Sequence, residues 1–498
     1  MDTFDEGAGW HRLDRRMLLV HPVKELIRFL PVVAGVVLFG RSSGGDRWAL
    51  LGVAIPIALG LLRYLGTSYR ISAGRVELRR GLVNKHVVST PLDRVRTVDV
   101  SASPIHRLLG LVTLQVGTGT ASKKGENRIA LDGLAVARAT ELRDRLLRGG
   151  RAERPTDPGV VDSSRLVLRL DLAWVRFAPL TTSGLVIAGA AIGFCFQAAR
   201  EVQLSVSLGD PLRGAGIAIT TAVGVTFLLA ALCLLAVIGY VVSNFGLVLR
   251  HDPVGHAWHL ARGLFTTRET TIDDARVAGV SIGEPLGLRL AHGARLSAIV
   301  TGLDRRQRGS SVLVPPAPRS EVDRVAVDVL GVADPVRCPL RTHGPRAVRR
   351  RWTRALVPAA ALVVADVALA YAVAWWLLVL SVPVVLVAVF LAWDRARSLG
   401  HTLVDDHLVA RSGSLDRRRE ALHTPSVIGW NQRSTWFQRR VGLTDLVATT
   451  AGGRQQVRVL DLDEASATAL AVTATPGLLE PFLGRPGSAS RRASPDHR

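Results

Sequence analysis

Residues 355–393 read ALVPAAALVVADVALAYAVAWWLLVLSVPVVLVAVFLAW, thirty-nine positions with a single charge, Asp366. One helix of that length would extend about 58 Å, against a hydrocarbon core of roughly 30 Å. The run therefore has to turn back on itself. Trp375-Trp376 marks the place, because Trp favours the membrane–water interface. Two more pairs of apolar segments lie upstream, at about 29–40 with 48–66 and at 177–199 with 216–243. The first segment gains length if it begins at Leu26 with Arg28 snorkelling. The expectation is a polytopic α-helical membrane protein with six transmembrane helices in three hairpins.

Composition supports that class. The chain has 498 residues, 48% of them hydrophobic, with a mean hydropathy of +0.25. Its length suits about three domains. The net charge is +22, yet only Lys24, Lys85, Lys123 and Lys124 are lysines. An Arg bias of this kind reads as compositional. A nucleic-acid surface would need stacking aromatics, and aromatics are 5% of the chain, with most Trp residues beside or inside apolar runs. No nucleic-acid partner is expected. Cys195 and Cys233 fall in apolar runs and Cys338 in a polar one, without metal-ligand spacing, so all three read as free thiols. The first 25 residues are polar and carry no signal-peptide core.

A polar segment follows each hairpin, and the three segments resemble one another. The first contains Val76-Glu-Leu-Arg-Arg-Gly81-Leu, Pro91-Leu92-Asp93-Arg94-Val95 and Arg107-Leu-Leu-Gly110-Leu. The second contains Arg262-Gly263-Leu264, Ile272-Asp273-Asp274 and Gly287-Leu-Arg-Leu. The third contains His407-Leu-Val-Ala-Arg-Ser-Gly413 and Arg439-Arg-Val-Gly442-Leu, with Thr424-Pro425-Ser426 standing where Leu92-Asp93-Arg94 stand in the first. Gly81 to Gly110 and Gly413 to Gly442 are both 29 residues apart, whereas Gly263 to Gly287 is 24, so the middle copy reads as trimmed. Equal spacing in the same place after each hairpin indicates repetition. Alternation at Val76-Glu77-Leu78, Val112–Val116 and Val457–Leu460 predicts strands. Helical spacing over 134–148 and 319–330 predicts a helix closing the first two copies. The result is an α+β plan, a bent sheet or barrel with a C-terminal helix.

On these residues each copy resembles the bacterial pleckstrin-homology-like (PH-like) domain of YdbS/YdbT-type membrane proteins. The resemblance covers roughly 20–480. It implies a PH-like fold, a membrane location, no established catalysis, and another PH-like-domain membrane protein or a second copy as partner. Gly81, Leu92, Asp93, Arg94, Arg107, Gly110, Gly263, Asp273, Gly287, Gly413, Arg439 and Gly442 carry the motif and are expected to be structural. The expected order is a cytoplasmic N-terminus (1–25), hairpin 1 (26–66), PH-like domain 1 (67–150), a linker (151–172), hairpin 2 (173–243) and PH-like domain 2 (244–335). A basic juxtamembrane linker (336–354), hairpin 3 (355–393), PH-like domain 3 (394–483) and a disordered tail (484–498) follow. Residues 66–150 are expected to fold alone.

The remaining candidate chemistry is sparse. Asp366, a carboxylate within an apolar run, suggests a proton or cation relay, which would make the protein a transporter or part of one. Alternatively it packs, neutral or hydrogen-bonded, against its hairpin partner, and the lack of a basic residue in another span favours this. Asp405-Asp406-His407 invites a metal, but adjacent strand positions point to opposite sides, and a turn fits better. Gly117 to Gly125 is glycine-rich and basic but lacks the phosphate-loop spacing. Arg346, Arg349, Arg350, Arg351 and Arg354 precede the third hairpin without an acid among them. They are candidate anionic-lipid contacts at roughly 1 kcal/mol each, and they also carry the positive-inside signal. That signal places both termini and all three domains in the cytoplasm. No catalytic, metal or cofactor motif is found. The expected role is a non-catalytic membrane scaffold for protein assembly or lipid binding.

Overall fold

The computed structural model describes most of residues 10–20, then 67–148 apart from 73–74, 81–85, 92–96 and 118–128, then 164–181, 211–301, 311–373 and 375–478. The expected hairpin 1, the first helix of hairpin 2, most of the glycine-rich loop, the tail, and Gly81, Leu92, Asp93 and Arg94 lie outside the described residues. The chain divides into two compact units. One comprises Met1–Leu170, Val241–Arg276 and Gly302–Ser310, the other Asp171–Tyr240, Val277–Thr301 and Ser311–Arg498.

In the first unit β1 (His11–Arg12), β2 (Ser68–Ser72), β3 (Arg75–Arg80) and β4 (His86–Pro91) form an antiparallel sheet in chain order. Then come β5 (Thr97–Ala102), the short helix α1 (Pro104–Leu108), β6 (Leu111–Gly117), β7 (Ile129–Ala135) and α2 (Val136–Arg148). Alternation decides the buried face: Val76 and Leu78 of β3, and Leu114 and Val116 of β6, enter one core with Tyr69, Leu131, Ala139 and Leu142. Met17 and Val20, from before the expected first hairpin, complete that core at 0% exposure. Each fully buried Val, Leu or Met contributes about 1.5–3 kcal/mol. A segment confined to 66–150 therefore lacks part of its own core, which corrects the expectation that it is self-contained.

The unit continues with β8 (Arg165–Arg169), β9 (Val248–Asp252), β10 (Ala257–Arg262) and β11 (Thr267–Asp273). These strands join the first copy's second sheet, giving the order β7-β6-β5-β11-β10-β9-β8. Helix α3 (Pro211–Asn244) runs into β9.

The second unit opens with a 3-10 stretch, Leu172–Leu180, that buries Trp174 and Phe177. Strand β12 (Val277–Pro285), α4 (Leu286–Leu290), β13 (Gly293–Val300), β14 (Val312–Pro318) and α5 (Arg319–Leu330) complete the second copy. Helix α6 (Gly344–Ala372), a 3-10 turn at Trp375–Leu380, and α7 (Ser381–Ser398) occupy the long apolar run. The third copy has β15 (Gly400–Val404), β16 (His407–Ser412), β17 (Asp416–His423), β18 (Val427–Arg433), α8 (Trp436–Arg440), β19 (Leu443–Thr450), β20 (Gln456–Asp463) and α9 (Glu464–Ala474). Its sheets run β14-β13-β12-β17-β16-β15 and β18-β19-β20. The second copy's strands are thus divided between the two units.

Among the described residues two helices are long and apolar enough to cross a membrane, Thr226–Asn244 and Gly344–Ala372. The first strand of copies one and two, and in the third copy an isolated bridge in the same place, precede the expected hairpin. β1 pairs with β2, β8 with β9, and Arg341 bridges His401, each pair flanking the corresponding apolar stretch. The expected domain starts at 67, 244 and 394 therefore fall one strand too late. A two-residue strand such as His11–Arg12 offers no alternation to read.

The left-handed residues correct a second expectation. Gly110 and Gly442 follow their short helices with φ of +67° and +66°, and the residue in that place after α4 is His292, with φ of +56°. His292 lies 29 residues after Gly263, the spacing of the other two copies, so the middle copy is not trimmed. Gly287 instead sits inside α4 against the Leu180 carbonyl, where a Cβ would collide at 2.5 Å.

Candidate functional site: the copy junctions and the basic cleft

Aligning the copies in sequence on Gly110, His292 and Gly442 makes Val100 equivalent to Ile282, and Glu269 equivalent to Arg419. Val100 pairs with Glu269 in the β5–β11 junction, and Ile282 pairs with Arg419 in the β12–β17 junction. Both junctions are antiparallel and share one register. The fifth strand of each copy is joined to the fourth strand of the next, so consecutive copies are held by main-chain hydrogen bonding.

The arginine of the Arg-x-x-Gly motif reinforces each junction. Arg107 Nη1 donates to the Leu264 carbonyl of the second copy across 3.2 Å. Its counterpart Arg289 lies 2.9 Å from Asp394 at the end of α7. Asp394 is 2% exposed, accepts from Ser414 Oγ at 2.9 Å and from Arg417 Nη2 at 2.8 Å. Burial, then the neighbouring Arg289, pulls the Arg417 pKa down, while Asp394 raises it. In the third copy the equivalent Arg439 is exposed.

The other motif residues shape the backbone. At Gly263 and Gly413, with φ of +113° and +106°, a Cβ would run into the carbonyl three residues on, at Thr266 and Asp416. Asp273 Oδ1 accepts from Ala275 N at 3.0 Å and holds the turn leading to β12. His106 and Gln438 occupy the same position of α1 and α8 and organise equivalent polar nodes. His106 Nε2 lies 3.1 Å from Asp132, and Gln438 Nε2 donates to Asp445 at 2.7 Å and to Asp461 at 2.9 Å.

The basic segment before the third hairpin divides in two. Arg350 ion-pairs with Asp461, and Arg351 Nη2 lies 2.5 Å from the other oxygen of the same carboxylate. Asp461 is fully buried and the arginine side chains are only 10% and 12% exposed. These two anchor α6 to β20, so the lipid-contact expectation is withdrawn for them: a guanidinium already paired in the interior is not offered to a headgroup. Arg346, 3.8 Å from Asp463, stays 69% exposed, and Arg349 and Arg354 are also exposed. Arg354 and Arg395 line one part of a cleft of about 560 Å³ between α6 and α7, whose walls are Ala355, Pro358, Leu362, Val384 and Leu391. An apolar cleft bearing two guanidinium groups suits an anionic lipid.

Nearby, α8 carries exposed Trp436 and Phe437, with Arg440 3.6 Å over the Trp436 ring. Its N-cap Thr435 accepts from Arg350 Nη2 at 3.4 Å. Further along the apolar run, Ser381 Oγ donates to Asp366 Oδ2 at 2.6 Å, joining the two helices. Asp405 and Asp406 form the turn between β15 and β16 with φ of +46° and +54°. Among the described residues no group of three His, Cys, Asp or Glu side chains is placed to hold a metal.

Arg107 and Arg439 were expected from sequence only as structural motif residues, and no residue was singled out for joining copies. The signal was present: the motif recurs at a fixed distance from a left-handed residue. The Asp461 partner of Arg350, over a hundred residues away, left no local trace.

Residues 25–149 and 355–474 match the family model described as Bacterial PH domain. The chain therefore carries bacterial PH-like domains of sheets plus helices. No curated protein and no solved structure matches it.

Proposed function

We propose that the protein is a non-catalytic, multi-pass membrane scaffold of the YdbS/YdbT type. Six helices in three hairpins would hold three PH-like copies on the cytoplasmic face. One observation carries this reading. Successive copies are joined fifth strand to fourth strand in one register, so the modules assemble through sheet edges. Strand addition of that kind supplies affinity through the main chain. The long apolar helices anchor the array, and the Arg349, Arg354 and Arg395 side chains with Trp436 and Phe437 meet the lipid headgroups. Positive-inside charge around Arg341–Arg354 sets the orientation. The partners are membrane lipids and other PH-like-domain membrane chains. Purification from native membrane, followed by identification of co-purifying proteins and lipids, tests the proposal. Recovery of PH-like chains or anionic lipid is expected. Recovery of the protein in the soluble fraction would refute it.

A further inference from the structure

The chain of junctions has two ends. Strand β4 begins it, and among the described residues it pairs only with β3. Strand β18 closes it, and among the described residues it pairs only with β19. By position β4 is a fourth strand with no preceding copy, and β18 is a fifth strand with no following copy. Each presents the edge that its counterparts use inside the chain. Unpaired edges template strand addition. Little in either strand opposes it: neither contains a glutamate, aspartate or lysine, Pro91 and Arg433 stand at the strand ends, and the irregularity of β18 at Val427–Gly429 has its counterpart at Val277–Gly279 of β12, which pairs with β17 all the same. Val87 on β4 is 51% exposed, and Ile428 on β18 is 62% exposed. Arg439 is a second sign at the same end. Its counterparts Arg107 and Arg289 engage residues of the next copy or its membrane helix, while Arg439 is exposed and has no ion-pair partner among the described residues.

We infer that β18 of one chain adds to β4 of a second copy of this chain, continuing the array from molecule to molecule. This rests on the scaffold reading and names its partner. The two internal junctions fix the register. Thr270 faces Asp99, and by the same equivalence Val88 of one chain faces Asn431 of the other, with Val87 opposite Gln432 and Ser89 opposite Trp430. The contact is heterologous, so it builds rings or filaments rather than a closed pair of like surfaces.

Directly opposed residues on antiparallel strands have Cα atoms roughly 4.5–5.5 Å apart, within disulfide reach. Two differently tagged full-length chains, one with Val88→Cys and one with Asn431→Cys, are co-expressed and oxidised in isolated membranes. A disulfide-linked product carrying both tags is expected, at several-fold higher yield than when Val88→Cys is combined with Arg433→Cys, two positions out of register. Arg439→Ala should lower the yield. Chains with a single introduced cysteine control for Cys195, Cys233 and Cys338. With both cysteines on one chain, a ladder of oligomers is expected. An internally linked monomer alone would overturn the inference, as would absence of product or equal yield out of register. If the chain stays in the membrane while cross-linking fails, only this inference falls. If it leaves the membrane, the scaffold reading falls.

Discussion

Arg289 of the second copy lies 2.9 Å from Asp394 at the end of α7, the helix that leads into the third copy. Arg107 holds the same position in the first copy and also reaches forward, to Leu264. The motif arginine is thus a connector between one copy and the next. Breaking a buried ion pair from one side costs about 3–5 kcal/mol, because the remaining charge is left unpaired. Asp394→Ala strands both Arg289 and Arg417 and should lower stability by about 3 kcal/mol. Arg289→Ala leaves Arg417 on the carboxylate and should cost less. Thermal unfolding of the detergent-solubilised protein measures both, and equal losses would contradict the ranking.

The left-handed positions give a second test. Gly442→Ala places a Cβ at φ of +66° and should cost about 1–2 kcal/mol. His292→Gly relieves the same conformation in the middle copy and should be neutral or slightly stabilising. A destabilised His292→Gly, measured the same way, would show that the imidazole rather than the backbone matters there.

Acid should loosen the attachment of α6 to the third copy. His343, the residue that caps α6, has Nδ1 2.6 Å from the Leu460 carbonyl, and His401 Nδ1 lies 2.9 Å from His343 Nε2. A neutral His401 donates to a neutral His343, which donates to Leu460. Burial pushes His401 down to about 4, with His343 and Arg341 adding to the effect. Burial also lowers His343, opposed by its bond to Leu460 and by Asp461, with Arg351 lowering it further. An unfolded histidine titrates near 6.5. Between that value and about 4 the unfolded chain binds more protons, so stability present above pH 6.5 is lost as the pH falls through this window. The unfolding midpoint should drop from pH 7 to pH 5, and the drop should shrink in His401→Asn. An unchanged slope in that variant would remove the histidine pair as its cause.

Asp366→Asn should keep the contact with Ser381, since the amide oxygen can accept the same hydroxyl proton. Function should survive at unchanged protein level. Loss of a phenotype that deletion also abolishes would favour a relay through the carboxylate.

What could be read from sequence was what repeats locally. Alternation at Val76-Glu77-Leu78 and over Val112–Val116 gave strands in the right places, and helical spacing at 319–330 matched α5. Alternation tells which face of a strand is buried but not which strand lies on its edge. The β5–β11 and β12–β17 junctions were therefore invisible, and with them the sharing of sheets between copies. His292 was missed because a glycine was sought where a histidine takes the left-handed conformation. Arg350 and Arg351 were misassigned because a run of arginines looks the same whether it faces lipid or a buried Asp461.

Orientation in a membrane is the claim on which the scaffold rests, and one labelling experiment reaches it. Leu415 and Val254 are 52% and 65% exposed, on loops of the third and second copies. Leu415→Cys and Val254→Cys, each in the full chain, are treated with a membrane-impermeant maleimide in intact and in opened cells, with wild type setting the background from Cys338. The account predicts that the protein sediments with membranes and that both sites label only after opening. Labelling of either site in intact cells with an unbroken membrane, or recovery of the chain as a soluble protein, would contradict it.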